Sequence, residues 1–347
     1  MDKIIDLRSD TLTKPTPEMY EAMRTAPLGD DVMEEDPTVK RLEELAAERM
    51  GKEAGLLVSS GTMGNLTALV THTQRGDEVI CEADSHVFWY EAAGMSVVGS
   101  LLPRCLLGVG GVLDPRAVEQ AIRPVDVHQP RTGLICLENT HNRAGGTVQT
   151  PAQVDAVADV ARRRGIPLHV DGARVFNAAV ALGTDVRALV RGADSVTFCL
   201  SKGLSAPVGS VLTGSRDFIR RARQTRKMLG GGMRQAGVLA AAGVVALESL
   251  VDRLAEDHAN AQALARGLAA TPGIDVNLAS VQTNMVYFDV RAFGLPASEF
   301  AGRMETQGVK ALALGEWSIR LVAYRGVNAA DVELAVERIR RVANGVQ

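Results

Sequence analysis

The chain has 347 residues, 46% hydrophobic and 23% charged, and its 38 basic and 41 acidic side chains leave a net charge of −3. That length predicts two domains, or one large and one small, of an ordinary globular protein. The balance excludes a sequence-independent nucleic-acid binder, which needs clustered positive charge, and no apolar run of about 18 residues offers a membrane-spanning helix.

Charge within the first ten residues, where a secretory signal would be apolar, predicts a cytoplasmic protein. Residues up to about Pro37 show little periodicity and read as an arm with short helices. Thr38–Met50 has apolar residues at helical spacing. Apolar runs then alternate with amphipathic ones. Strands are predicted at Gly55–Val58, Glu78–Cys81, Val97–Leu101, Gly133–Leu137, Pro167–Val170, Ser195–Leu200 and Val208–Thr213, with helices from Gly61 and over Ala152–Arg164. Such alternation implies an α/β fold with a mostly parallel sheet covered by helices. After Gly230-Gly231-Gly232 the pattern changes: a long, broken helical stretch over Gln235–Ala270, strands at Val281–Val290 and Ser318–Ala323, and helices at Ala297–Gln307 and Ala330–Val342. The expected division is residues 1–250, an arm plus a large domain, and residues 251–347, a smaller C-terminal α/β domain. Cys81, Cys105, Cys136 and Cys199 form no C-x-x-C pair and read as reduced core thiols rather than a disulfide or a metal site. Gly108–Leu113 fails the dinucleotide fingerprint at its last position, and neither a P-loop nor an H-E-x-x-H motif occurs, so no metal is expected.

Three segments carry chemistry together. An apolar strand ends in Ser201-Lys202-Gly203, followed by small residues that leave room for a bulky adduct. A lysine in such a low-dielectric place suits covalent catalysis. A second strand ends in Asp171, at the sheet edge where open α/β sheets bind ligands. One helix and one strand separate the two, enough to bring both side chains to one crevice. A lysine and a buried carboxylate facing one crevice suggest pyridoxal 5′-phosphate (PLP), the carboxylate lying opposite the pyridine nitrogen. A third strand runs into Ser59-Ser60-Gly61-Thr62 and a helix, whose N-terminus can hold the phosphate. His86, after a further strand, can stack on the ring.

The chain resembles the low-specificity L-threonine aldolases, PLP-dependent lyases of the aspartate-aminotransferase fold (fold type I). The resemblance rests on Asp6–Thr11, Gly29–Val32, Glu35–Thr38, Ser60–Thr62, Ser85-His86, Leu137–Asn142, His169–Arg174, Cys199–Gly203, Lys227–Gln235 and Ile319–Val322. It implies that Lys202 holds PLP, Asp171 pairs with its pyridine nitrogen, His86 stacks on the ring, and Gly61 and Thr62 bind the phosphate. It further implies that Ser9, Arg174 and Arg320 hold the substrate carboxylate, that His128 is a second active-site histidine, and that Lys227 and Arg234 approach a neighbouring subunit's cofactor. The assembly so implied is a homotetramer with a dimer as its minimal active unit, acting on a small molecule with no nucleic-acid or membrane partner. The implied reaction is retro-aldol cleavage of L-threonine or L-allo-threonine to glycine and acetaldehyde, with other β-hydroxy-α-amino acids as further substrates, and with His86 or His128 as the base. Met33 and Tyr324 stand where many relatives carry tyrosine and histidine. An aminotransferase or β-eliminating lyase on the same fold is the nearest rival, and a cofactor-free binding protein a more distant one.

Overall fold

Val-, Ile- and Leu-rich runs four to seven residues long become strands buried on both faces, the signature of a sheet sandwiched between helices. The computed structural model describes residues 3–346. Its strands are β1 (Ile5–Asp6), β2 (Ala54–Val58), β3 (Glu78–Glu82), β4 (Leu102–Leu106), β5 (Thr132–Glu138), β6 (Leu168–Asp171), β7 (Ser195–Cys199), β8 (Ser210–Gly214), β9 (Met285–Asp289), β10 (Val309–Lys310), β11 (Leu312–Leu314) and β12 (Ser318–Val322). Seven of them form one sheet in the order β2-β8-β7-β6-β5-β3-β4. Only β8 runs against the rest, pairing antiparallel with β2 and β7. The C-terminal ends of β3, β5, β6 and β7 therefore open onto one crevice, the place where such sheets bind ligands.

The helices are cued by one repeated device. Thr16-Pro17, Asp36-Pro37, Asp114-Pro115 and Thr150-Pro151 each put a capping oxygen before a proline at the first helical position. The side chain accepts an otherwise unpaired amide, and proline supplies the helical φ without needing its missing N–H.

Two main hydrophobic cores form. The larger joins Leu42, Ile135, Val170, Val196 and Phe198 around the seven-stranded sheet; the other joins Leu264, Val286, Phe288, Phe300 and Ile339 around β9, β11 and β12. The long helical stretch breaks into Gly237–Ser249 and Leu254–Ala269. The second of these starts in the larger core with Leu254 and ends in the smaller one with Leu264 and Leu268. The N-terminal arm is shared between the two cores: β1 pairs in parallel with β10, and Ile5 and Leu7 are buried in the C-terminal core, whereas Met19, further along the arm, is buried in the larger one. The strand expected at Val97–Leu101 is also displaced. Gly94–Val97 is a short helix, Ser100 turns the chain at φ +53°, and the strand begins at Leu102. The β-branched pair Val97 and Val98 faces solvent, so their type signalled a strand that packing does not call for. No helix among the described residues is long and apolar enough to cross a membrane.

Candidate active site

Lys202 follows β7 in a tight bend whose carbonyl accepts the Thr13 hydroxyl at 2.7 Å and the Ser205 amide at 2.8 Å. Both bonds use backbone, so the half-buried side chain is free for chemistry. The positive charge of Lys202 is felt by Asp10 across the crevice.

Asp171 ends β6 and is 2% exposed. One carboxylate oxygen accepts the Ala173 amide at 3.0 Å, the other Asn65 Nδ2 at 2.8 Å. The second hydrogen of that same amide reaches Glu91 Oε1, also at 2.8 Å. His86 Nδ1 lies 2.9 Å from Glu91 Oε1, and the His86 backbone amide donates to Glu138. Burial would lower the basicity of His86, but the bond to Glu91 and the charges of Asp171, Glu91 and Glu138 outweigh it and raise the imidazole above its ordinary value. Since Nδ1–H is spent on Glu91, Nε2 is the nitrogen left for other work. Ligand atoms of His86, Glu91 and Asp171 lie within 4.8 Å of one another, yet their oxygens are already turned toward N–H donors.

The helix Gly61–His72 starts against the end of β7. A Cβ on Gly61 would come within 2.9 Å of Cys199 Sγ, and one on Gly64 within 2.6 Å of Thr197 Cγ2. Glycine is therefore required for this approach, as at anion-binding helix starts. Ser60 caps Met63, while the amides of Gly61 and Thr62 take no acceptor among the described residues. Nearby, Ser210 Oγ is buried with no partner. Free amides, an orphaned hydroxyl, a strand-end lysine and a hydrogen-bonded carboxylate fit PLP: Ser60–Thr62 could take its phosphate, Asp171 its ring nitrogen and Lys202 its carbonyl carbon.

Of the residues expected to hold a substrate carboxylate, Arg174 makes a two-pronged pair with buried Asp10 at 2.6 and 2.7 Å. Asn284 also donates to Asp10. Although burial pushes the other way, Arg174 holds the Asp10 carboxyl down at about 2. Arg320, on β12, donates to Asn142 Oδ1 and to the Arg8 carbonyl, and its buried Nε has no partner. Ser9 caps the adjacent turn, accepting from Thr11. The arm, the sheet and the small core thus meet at one crevice.

Because folding depresses Asp10, its stabilisation is complete above the unfolded carboxyl value and is lost as pH falls toward the folded one. Comparing urea unfolding of the parent and Asp10→Asn should show a stability difference that is constant above about pH 4 and shrinks by about 2 kcal/mol toward pH 2. A difference independent of pH over that window would contradict the pairing.

The remaining expected residues lie elsewhere. His128 sits on an exposed loop before β5, paired with Asp126. The far end of β5, Glu138, is the residue in register with Asp171, so about 20 Å of strand separates His128 from this chain's crevice. Lys227 and Arg234 are exposed, Arg234 pairing with Asp30 at 3.1 Å. Met33 is 67% exposed, whereas Tyr324 is buried in the C-terminal core. Asn65, Glu91, Asp10 and Asn142 were not singled out from sequence. Only the position of Asn65, one helical turn beyond Gly61, signalled a side chain on the crevice face.

A family profile described as beta-eliminating lyase matches residues 6–291. A low-specificity L-threonine aldolase of Arabidopsis thaliana is 46% identical over 333 residues, 94% of this chain and 93% of the relative. The low specificity L-threonine aldolase of Escherichia coli K12 is 48% identical over 288 residues, 83% and 85% of the two chains. In fold, the threonine aldolase of Leishmania major superposes with a TM-score of 0.83 at 20% identity, covering 98% of this chain and 99% of that one. With a profile spanning most of the chain and relatives at this identity, the chain belongs to the beta-eliminating lyase family and, within it, to the low-specificity L-threonine aldolases.

Proposed function

We propose that this protein is a PLP-dependent lyase that cleaves L-threonine and L-allo-threonine to glycine and acetaldehyde. The observation that carries the reading is the crevice itself: Lys202, Asp171 and the open helix start at Gly61 lie on three neighbouring segments at one sheet edge, inside a chain of this family. PLP bound there supplies the electron sink for a bond broken at the substrate's Cα. Lys202 would hold the cofactor through its amine, and Asp171, fixed by Ala173 and Asn65, would supply the counter-charge for the ring nitrogen. Arg320, with its unpartnered Nε, and Arg174 offer guanidinium donors to the substrate carboxylate, and Ser9 adds a hydroxyl. His86, made more basic by its acidic neighbours, presents Nε2 to the β-hydroxyl and takes its proton as the Cα–Cβ bond breaks.

His128, Lys227 and Arg234 are exposed on this chain, so their part in the site would be played in a neighbouring copy, in a homo-oligomer with a dimer as the minimal unit and a homotetramer as the full assembly. The proposed compartment is the cytoplasm. Other β-hydroxy-α-amino acids are proposed as further substrates. With added PLP and no 2-oxo acid, both L-isomers should yield glycine and acetaldehyde in equal amounts. Both D-isomers should react about 10²-fold more slowly or worse, because a fixed carboxylate turns their Cα–Cβ bond away from the ring axis. Turnover that required a 2-oxo acid, or pyruvate or 2-oxobutyrate as product, would favour the aminotransferase or β-elimination reading.

A further inference from the structure

Behind Asp171, on the side away from the crevice, runs a line of hydrogen bonds that the mechanism above does not use. Asn65 Oδ1 meets His169 Nε2 at 3.2 Å, His169 Nδ1 meets Ser195 Oγ at 2.8 Å, and Ser195 Oγ meets His72 Nε2 at 2.8 Å. His169 is 0% exposed, Asn65 1% and Ser195 0%. His169 stands two residues before Asp171 on β6, so both side chains leave the same face of the sheet. His72 closes the line at the end of the helix that Gly61 begins, its ring stacked on Phe218 at 4.2 Å.

Chemistry fixes the direction of every proton in this line. Asn65 faces two carboxylate oxygens, so it must turn its NH₂ toward them and its oxygen toward His169. An amide oxygen accepts only, so His169 Nε2 carries a hydrogen. Burial drives His169 down to about 4 and His72 down to about 3, which leaves both rings neutral near pH 7. A neutral ring has one N–H, so His169 Nδ1 is bare and accepts the Ser195 hydroxyl. Ser195 Oγ, having given its hydrogen away, accepts from His72 Nε2–H. A reversed line would aim the Asn65 oxygen at Asp171 and Glu91, leaving both carboxylates without that donor and one buried acceptor facing two others, a costly arrangement in the interior.

We infer that His72, Ser195 and His169 are positioning residues that lock the Asn65 amide, so that its two hydrogens hold Asp171 in place for the pyridine nitrogen and Glu91 in place for His86. The ring counter-charge and the base are then oriented by one amide, itself oriented from behind. The inference rests on the reading of Asp171 and His86 given above.

The test uses the PLP-loaded protein with ¹⁵N-labelled histidine, readable because the chain has only six. His169 and His72 should show the Nε2–H tautomer and His86 a protonated Nδ1. His169→Gln places an amide N–H where Nε2–H was, and His169→Leu fills similar space without a donor. His169→Leu should shift the pH dependence of the cofactor's visible absorption, change the His86 ring signals, and lower kcat by about tenfold or more. His169→Gln should restore all three. An Nδ1–H tautomer at His169 in the parent overturns the inference even if His169→Leu does not fold. Equal absorption profiles and kcat in the Leu and Gln variants overturn it too, since space-filling alone would then suffice. If the tautomers and the absorption shift appear as expected while threonine is not cleaved, the line stands and the substrate reading fails.

Discussion

Lys202→Ala is expected to lower threonine cleavage on the order of 10⁴-fold or more, the scale reached when a covalent group is removed from a working site. The fold should survive, because both hydrogen bonds made by residue 202 use its carbonyl, to Thr13 and Ser205, and alanine keeps that carbonyl. Urea unfolding should therefore differ from the parent by no more than about 1 kcal/mol. Losing the amine removes the covalent hold on PLP. PLP can still dock through the helix start at Gly61, so cofactor content alone does not decide the matter. The decisive measurement is the single-turnover rate with saturating PLP, and a rate like the parent's would move the covalent role to another residue.

Asp171→Asn should cost about 10²–10³-fold in kcat, as removal of a preorganised electrostatic partner does elsewhere. The amide matches the carboxylate in volume but has one oxygen. Asp171 currently accepts two donors on two different oxygens, the Ala173 amide and Asn65 Nδ2. Whichever way asparagine turns, its NH₂ meets one of these N–H groups, and a buried donor loses its partner. The variant should thus lose about 1–3 kcal/mol of stability as well as the charge opposite the ring nitrogen. Calorimetry and stopped-flow kinetics read the two losses separately. A variant with the parent's kcat would show that Asp171 serves structure alone.

Much of this architecture is legible in the sequence, for identifiable reasons. Buried parallel strands are short unbroken apolar runs, and their ends are marked by the first polar residues: Asp171, Ser201-Lys202, and Ser59-Ser60. The chemistry sits at those ends, so strand ends found from apolarity also locate the candidate site. What escapes has different physics. β1 and β10 are two residues long, below any periodic signal, and only their pairing reveals that the start of the arm belongs with the C-terminal core. Asn65 and Glu91 look like ordinary polar residues, one on a helix and one in a turn. They matter because three segments bring them to Asp171 and His86, a coincidence that no local pattern encodes. The partnership of Asp10 with Arg174 spans 164 residues and is equally silent in the sequence. Tyr324 follows β12, the central strand of the small sheet, and its ring packs in the C-terminal core, a placement that residue type alone does not reveal.

The covalent role of Lys202 can be read directly from where the cofactor is attached. The chain, loaded with PLP, can be treated with borohydride, which makes the lysine–cofactor bond permanent, and then digested and mapped by mass spectrometry. A phosphopyridoxyl group on Lys202, and on no other lysine at comparable yield, is the predicted result. Modification of Lys227, or of a surface lysine, with Lys202 left unmodified would contradict it.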